Sequence, residues 1–181
     1  MARELGVRRS PGVWRRLDVA SRYAWPAGFL VLGLFVIGLP FGLPGQAEMR
    51  PAYGMACVFF WSLYRPSSLP APVVALVGLL LDLLVFSPLG VWAVLLLLLQ
   101  GATIASRRRL LPFAFPVIWL AFCGFAAVLS ALAWAAQSLL YLHMLPSLPL
   151  AAQVLAAAGV YPALAGVFIR AHRGAAAAEL A

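Results

Sequence analysis

The sequence offers few side chains for acid–base chemistry: its 181 residues include five acids. Four of these, Glu4, Asp18, Glu48 and Glu179, lie outside the long apolar runs. The fifth, Asp82, sits inside residues 76–90, LVGLLLDLLVFSPLG, and a second apolar run follows directly. A carboxylate among Leu and Val costs about 2.5–3.5 kcal/mol on membrane-insertion scales, so the fold must offset it. One reading makes Asp82 an ion or proton site, or a contact for a partner helix. The other makes it structural. Asp82 lies about one turn from its helix end. There it can accept hydrogen bonds from Ser87 and from the free backbone N–H groups of the next helix. Pro88 and Gly90 are residue types suited to a tight re-entry. A proton relay needs a second buried acid, His or Lys, and the other runs supply none, which favours the structural lock.

Other chemistry is thinly represented. There is no paired-acid, HExxH, GxSxG, P-loop or CxxC pattern. His143 and His172 are isolated, and Cys57 and Cys123 lie far apart in separate apolar runs. No catalytic, cofactor or metal residues are therefore assigned, and an enzyme is not expected.

The composition says what must position Asp82. The chain is 65% hydrophobic and 10% charged, against about half and a quarter in soluble domains. An integral membrane protein follows. The expected fold is an all-α polytopic bundle of six transmembrane helices, with apolar runs at residues 25–43, 51–64, 73–86, 90–105, 112–140 and 150–169. These form one domain, residues 25–169. Gly38 and Gly42 make one GxxxG in the first run. Gly45-Gln46-Ala47 has small residues suited to a signal peptidase, but Pro40 and Pro44 crowd the site and the first run is kept as a span. Residues 1–24 form a basic segment. Within it Val13, Leu17, Ala20 and Ala24 fall at helical spacing opposite Arg15, Arg16 and Arg22. It is either an amphipathic helix on an anionic membrane surface or a disordered basic tail. Residues 170–181 are expected to be a disordered tail.

The net charge is +8, and every basic residue is Arg. The positive charge stands in short clusters beside apolar runs, which marks topology rather than nucleic-acid binding. With six spans and a cytoplasmic N-terminus, the N-terminal cluster, Arg65, Arg107 to Arg109, Arg170 and Arg173 share one side. Only Arg50 falls on the other. The positive-inside rule then places both termini in the cytoplasm. Arg65 and Pro66 form a cytoplasmic corner, and Arg107, Arg108 and Arg109 act as topology and lipid anchors. Gly124, Ala127 and Ala131 lie at three- and four-residue spacing and offer a groove for a partner helix.

Three pieces of this pattern occur together: Trp61-x-x-Tyr64-Arg65-Pro66, then Gly78-Leu-Leu-Leu-Asp82, then Ser87-Pro88-Leu89-Gly90. From about residue 61 to 109 the chain resembles the rod shape-determining MreD family. Elsewhere the likeness is one of hydropathy and length, and the basic N-terminal extension is longer than the family's. The resemblance implies a non-enzymatic component of the cell-wall elongation machinery in the bacterial inner membrane. Its implied partners are the bitopic protein MreC, the MreB filament, the RodA glycosyltransferase and its penicillin-binding transpeptidase. The family is also similar in fold to the six-helix substrate-binding subunit of energy-coupling-factor vitamin transporters. That implies an alternative function, capture of a small molecule in an outward-facing polar pocket. The residues near that face are Gln46, Glu48, Arg50, Gln137, Ser138 and His143.

Overall fold

The structure is a computed structural model. It describes the backbone of residues 13–39, 42, 45–144 and 146–178, and the side chains of residues 26–39, 42, 45–144 and 146–166. Six helices make up these residues: α1 (Val13–Gly38), α2 (Gln46–Tyr64), α3 (Ala71–Val85), α4 (Val91–Leu110), α5 (Phe115–Leu140) and α6 (Leu148–Ala178). A single 3-10 turn, Pro66–Ser68, joins α2 to α3. Proline pre-sets the first turn of three elements, through Pro66, Pro72 and Pro116.

The bundle is organised around α2. Every residue from Pro51 to Leu63 is buried, and α2 packs against each of the other five helices. Such all-round burial belongs to a helix enclosed by protein. It explains how a helix with Gln46, Glu48 and Arg50 near its start occupies the core. The surrounding helices bury one face each and leave the other apolar and exposed, as at Leu76 and Leu83 of α3 and Leu120 and Val128 of α5.

An aromatic cluster ties α2 to α5 and α6. Tyr161 stacks on Phe122 with centroids 4.6 Å apart, and Phe59 meets Phe122 at 5.2 Å and Tyr161 edge-on at 5.5 Å. Such pairs contribute about 0.5–1.5 kcal/mol each beyond area burial. Trp119 Nε1 donates to the Ala158 carbonyl at 2.9 Å, joining α5 to α6.

Several boundaries differ from the sequence expectation. Residues 13–24 of the basic segment and the first apolar run are one continuous helix through Pro26, instead of two elements; residues 1–12 lie outside the described residues. The orientation of Arg15, Arg16 and Arg22 lies outside the described side chains. That helix stops at Gly38, because Pro40 disfavours helix in the residue before it. Its apolar part, Pro26–Gly38, is therefore short, as is Ala71–Val85. Helix α2 begins five residues ahead of the expected 51, with Pro51 tolerated inside it. Gly42 lies beyond the end of α1 at φ +67°, so Gly38 and Gly42 do not share a helix face as a GxxxG would require. Residues 170–178, expected to be disordered, continue α6 as helix. Their run of Ala has the highest helix propensity of any residue.

Three helices are long and apolar enough to cross a membrane: Val91–Leu110, Phe115–Leu140 and Leu148–Gly166. The fold is thus all-helical, with three helices of membrane-crossing length and composition among the described residues. Six spans exceed this, for two physical reasons. Pro26–Gly38 and Ala71–Val85 fall short of the roughly 20 residues a bilayer needs, and α2 starts polar.

Candidate functional site

Side-chain hydrogen bonds fasten each end of the bundle. One end brings the start of α2 to the ends of α1 and α3, with Tyr141 after α5 reaching the Phe86 carbonyl, and the opposite end brings the end of α4 to the end of α2. The α3–α4 hairpin at the first end holds the residues that stood out in the sequence.

Asp82 is fully buried, and its carboxylate accepts three hydrogen bonds. The Ser87 hydroxyl donates to Oδ1 at 2.6 Å, the Trp92 amide to Oδ1 at 2.9 Å and the Gly90 amide to Oδ2 at 2.8 Å. Helix α4 opens on Gly90, which has no side chain to cap the free amides. Asp82 reaches across from α3 and does that work, placing an acid at the positive end of α4. The backbone of Asp82 serves α3 in turn, since its carbonyl accepts from the Phe86 and Ser87 amides. Phe86 ends α3 in the left-handed region at φ 56°, and Gly90 turns the chain back at φ +99°. A side chain rarely adopts the Gly90 conformation. The Pro88 carbonyl accepts from Val91 at 3.3 Å and closes the turn.

Gly78 sets how closely the two helices approach. A Cβ there would run into the backbone of Ala93 and Trp92. The close crossing brings the start of α4 within reach of a side chain as short as Asp. Gly78, Asp82, Ser87, Pro88 and Gly90 therefore belong to one mechanical unit.

Other polar residues fasten the same end. Arg50 Nη1 donates to the Leu84 carbonyl at 2.6 Å and Nη2 to the Gly38 carbonyl at 3.2 Å. Its guanidinium thus sits on the C-terminal carbonyls of both α3 and α1, where a cation is favoured. Gln46 Nε2 donates to the Ile37 carbonyl at 2.9 Å and to the Leu39 carbonyl. Lower in the bundle, Tyr53 Oη donates to the Phe29 carbonyl at 2.9 Å, in space that Gly33 leaves open.

At the opposite end, Arg65 is exposed and its amide donates to Trp61 O at 2.8 Å, while Pro66 begins the 3-10 turn. Gln100 Nε2 donates to Leu69 O at 2.6 Å and holds that turn down. The three arginines expected to act as anchors divide. Arg108 and Arg109 are exposed, whereas Arg107 turns inward and its Nε donates to Leu63 O at 2.7 Å. It caps the end of α2, so one of the three is a structural tie.

Gly124 and Ala131 lie exposed on the outer side of α5, with Ala127 half-buried beside them. A Cβ on Gly124 would meet nothing within 4 Å. Within the described residues the space beside Gly124 is therefore open. Asp82 and this stripe are on different helices and do not form one site. Cys57 is buried and Cys123 half-buried, both as free thiols. No group of three His, Cys, Asp or Glu side chains comes together among the described residues.

Sequence reasoning passed over Gln100 and Gln153, and it gave Arg50, Gln46 and Arg107 other roles than the helix-end bonds they make. The signal that identified Asp82 also marks Gln100 and Gln153, each a lone polar residue in an apolar run. Comparison with family models, with curated proteins and with solved structures finds no match for this chain.

Proposed function

We propose that this protein is a non-enzymatic integral-membrane scaffold of the cell-wall elongation complex, of the MreD type. It would span the bilayer six times with both termini in the cytoplasm and hold an MreC-like bitopic partner. The observation that carries this reading is the hairpin. The hairpin residues of the family-like pattern, Gly78, Asp82, Ser87, Pro88 and Gly90, are accounted for by the shape of the α3–α4 crossing and its turn. A hairpin used for shape fits a protein whose product is a surface.

The topology draws support from the bundle itself. Arg65 and Arg107 to Arg109 lie at one end, fastened there by the Arg107–Leu63 bond, as the positive-inside rule asks. Arg50, the arginine at the other end, is hydrogen-bonded to the last carbonyls of two helices. The short helices α1 and α3 would be accommodated by local thinning of the bilayer. The outward stripe Gly124, Ala127 and Ala131 would receive the partner helix, and the exposed Arg108 and Arg109 would meet anionic lipid or the MreB filament. RodA and its transpeptidase would join through the partner.

The transporter-subunit reading is weaker on this structure. Gln46 and Arg50, two of the polar residues it would use, are spent on helix ends, and His143 Nδ1 lies 3.0 Å from the Tyr141 carbonyl.

The test is quantitative pull-down of the tagged chain from native membranes. An MreC-like bitopic protein should be enriched, and Gly124→Leu with Ala131→Leu should remove it without lowering the level of the bait. Recovery of the intact bait with no bitopic partner refutes the scaffold reading.

A further inference from the structure

Between the last turns of α5 and the first turns of α6 lies a cavity of about 170 Å³, open on one side. Ser130, Trp134, Gln137 and Gln153 contribute its polar wall, with Pro146 and Pro149 beside them. Ser130 is 1% exposed, and Gln153 Nε2 donates to its hydroxyl at 3.0 Å. That bond leaves Gln153 Oε1 as an acceptor at the wall, held in place by the enclosed Ser130 hydroxyl. Gln137 makes no side-chain hydrogen bond to any described residue, so both ends of its amide are available at the wall.

Three properties define what such a cavity accepts. Among the described residues no charged side chain lines it, so a phosphate, carboxylate or ammonium group would be left uncompensated. The Gln137 amide and the Gln153 carbonyl oxygen set a donor beside acceptors on an otherwise largely apolar lining, which suits hydroxyl groups because each is itself both. The indole and the two proline rings add apolar surface for the C–H face of a ring. Size narrows the choice further. An apolar protein cavity of about 150 Å³ holds benzene, so the volume here corresponds to one six-membered ring.

We propose that this cavity binds a single uncharged, hydroxyl-bearing ring, a sugar or cyclitol unit. The ring arrives either as a free sugar or as the headgroup of a glycolipid. The assignment does not rest on the scaffold function, and neither outcome of the pull-down bears on it.

The experiment uses the full chain purified in lauryldimethylamine oxide, because maltoside and glucoside detergents carry the competing ring. One arm titrates free glucose and myo-inositol. The other uses phosphatidylglycerol nanodiscs with and without monoglucosyl diacylglycerol, read by native mass spectrometry. Saturable binding is expected, weakened about tenfold by Gln137→Leu and again by Gln153→Leu, the loss for one hydrogen bond. Saturation by the free sugars assigns a soluble ligand, and saturation only by the glycolipid assigns a headgroup. Gln153→Leu also breaks the Ser130 bond between the helices. Gln137→Leu breaks no bond among the described residues, so it remains decisive if the other variant is poorly folded. The proposal is overturned if neither probe binds, if Gln137→Leu binds as well as the parent, or if inorganic phosphate competes.

Discussion

Replacing Asp82 separates shape from charge. Asp82→Leu removes all three acceptors and leaves the Trp92 amide, the Gly90 amide and the Ser87 hydroxyl without their partner. A buried donor left unsatisfied costs about 1–3 kcal/mol. The Trp92 amide is the most enclosed of the three and takes the upper part of that range. The Ser87 hydroxyl can rotate toward another acceptor and takes the lower. Removing a buried carboxylate recovers some desolvation, so the expected net loss is about 3 kcal/mol. Asp82→Asn behaves differently. Its carbonyl oxygen replaces Oδ1 and keeps Trp92 and Ser87, while its amide faces the Gly90 N–H and loses one bond. The expected loss is about 1 kcal/mol. Unfolding of the purified variants by sodium dodecyl sulfate in mixed micelles, followed by tryptophan fluorescence, reads both numbers. The Leu variant should be the less stable by a clear margin, and protein levels in membranes should follow the same order. Equal loss of function in Asn and Leu variants, at normal stability and level, would refute the structural lock and assign the charge itself a role.

The close crossing of α3 and α4 makes Gly78→Leu more damaging than Gly124→Leu, because the first must push backbone apart and the second enters open space. Melting of the two variants in detergent should differ by several degrees, and equal melting would contradict the crossing. Arg50→Met removes the cation from two helix ends, and about 1–2 kcal/mol of stability should go with it. Arg50→Lys should recover only part, since one ammonium cannot span both carbonyls as the guanidinium fork does. Gly33→Ala and Tyr53→Ala test a contact between α1 and α2. Gly33→Ala should destabilise the parent and do so far less in a Tyr53→Ala background, so additive effects in the double-mutant cycle would exclude the contact.

What was legible in the sequence was the class of fold and the hairpin. The apolar runs between Pro, Gly and Arg punctuation mark six helices, but α1 begins twelve residues ahead of its run and α6 extends nine residues past its own, because helix continues into polar or Ala-rich sequence that hydropathy does not register. Pro51 suggested a start and proved internal, and Pro40 ended α1 earlier than hydropathy implied. Asp82 was readable because a carboxylate needs acceptors' partners nearby, and Ser87 together with the next helix start was the only local supply. The centrality of α2 was not readable. Its hydropathy is lower than that of α5, and hydropathy reports tolerance of lipid, whereas burial among helices depends on which neighbours surround it. The roles of Arg50 and Arg107 were hidden for a related reason. An arginine at the end of an apolar run satisfies the positive-inside rule and a helix-capping role equally well, and only the position of another helix's last carbonyls tells them apart. The cavity was invisible because Ser130, Gln137 and Gln153 come together only when α5 and α6 are laid side by side.

A helix walled by all its neighbours has a consequence for the order of events. α2 is the second helix to be synthesised, yet Phe59 gains Phe122 and Tyr161 only when α5 and α6 exist. The centre of this protein is therefore made early and closed last. Until α6 is made, the α2 face that Phe59 presents to Phe122 and Tyr161 lacks part of its cover.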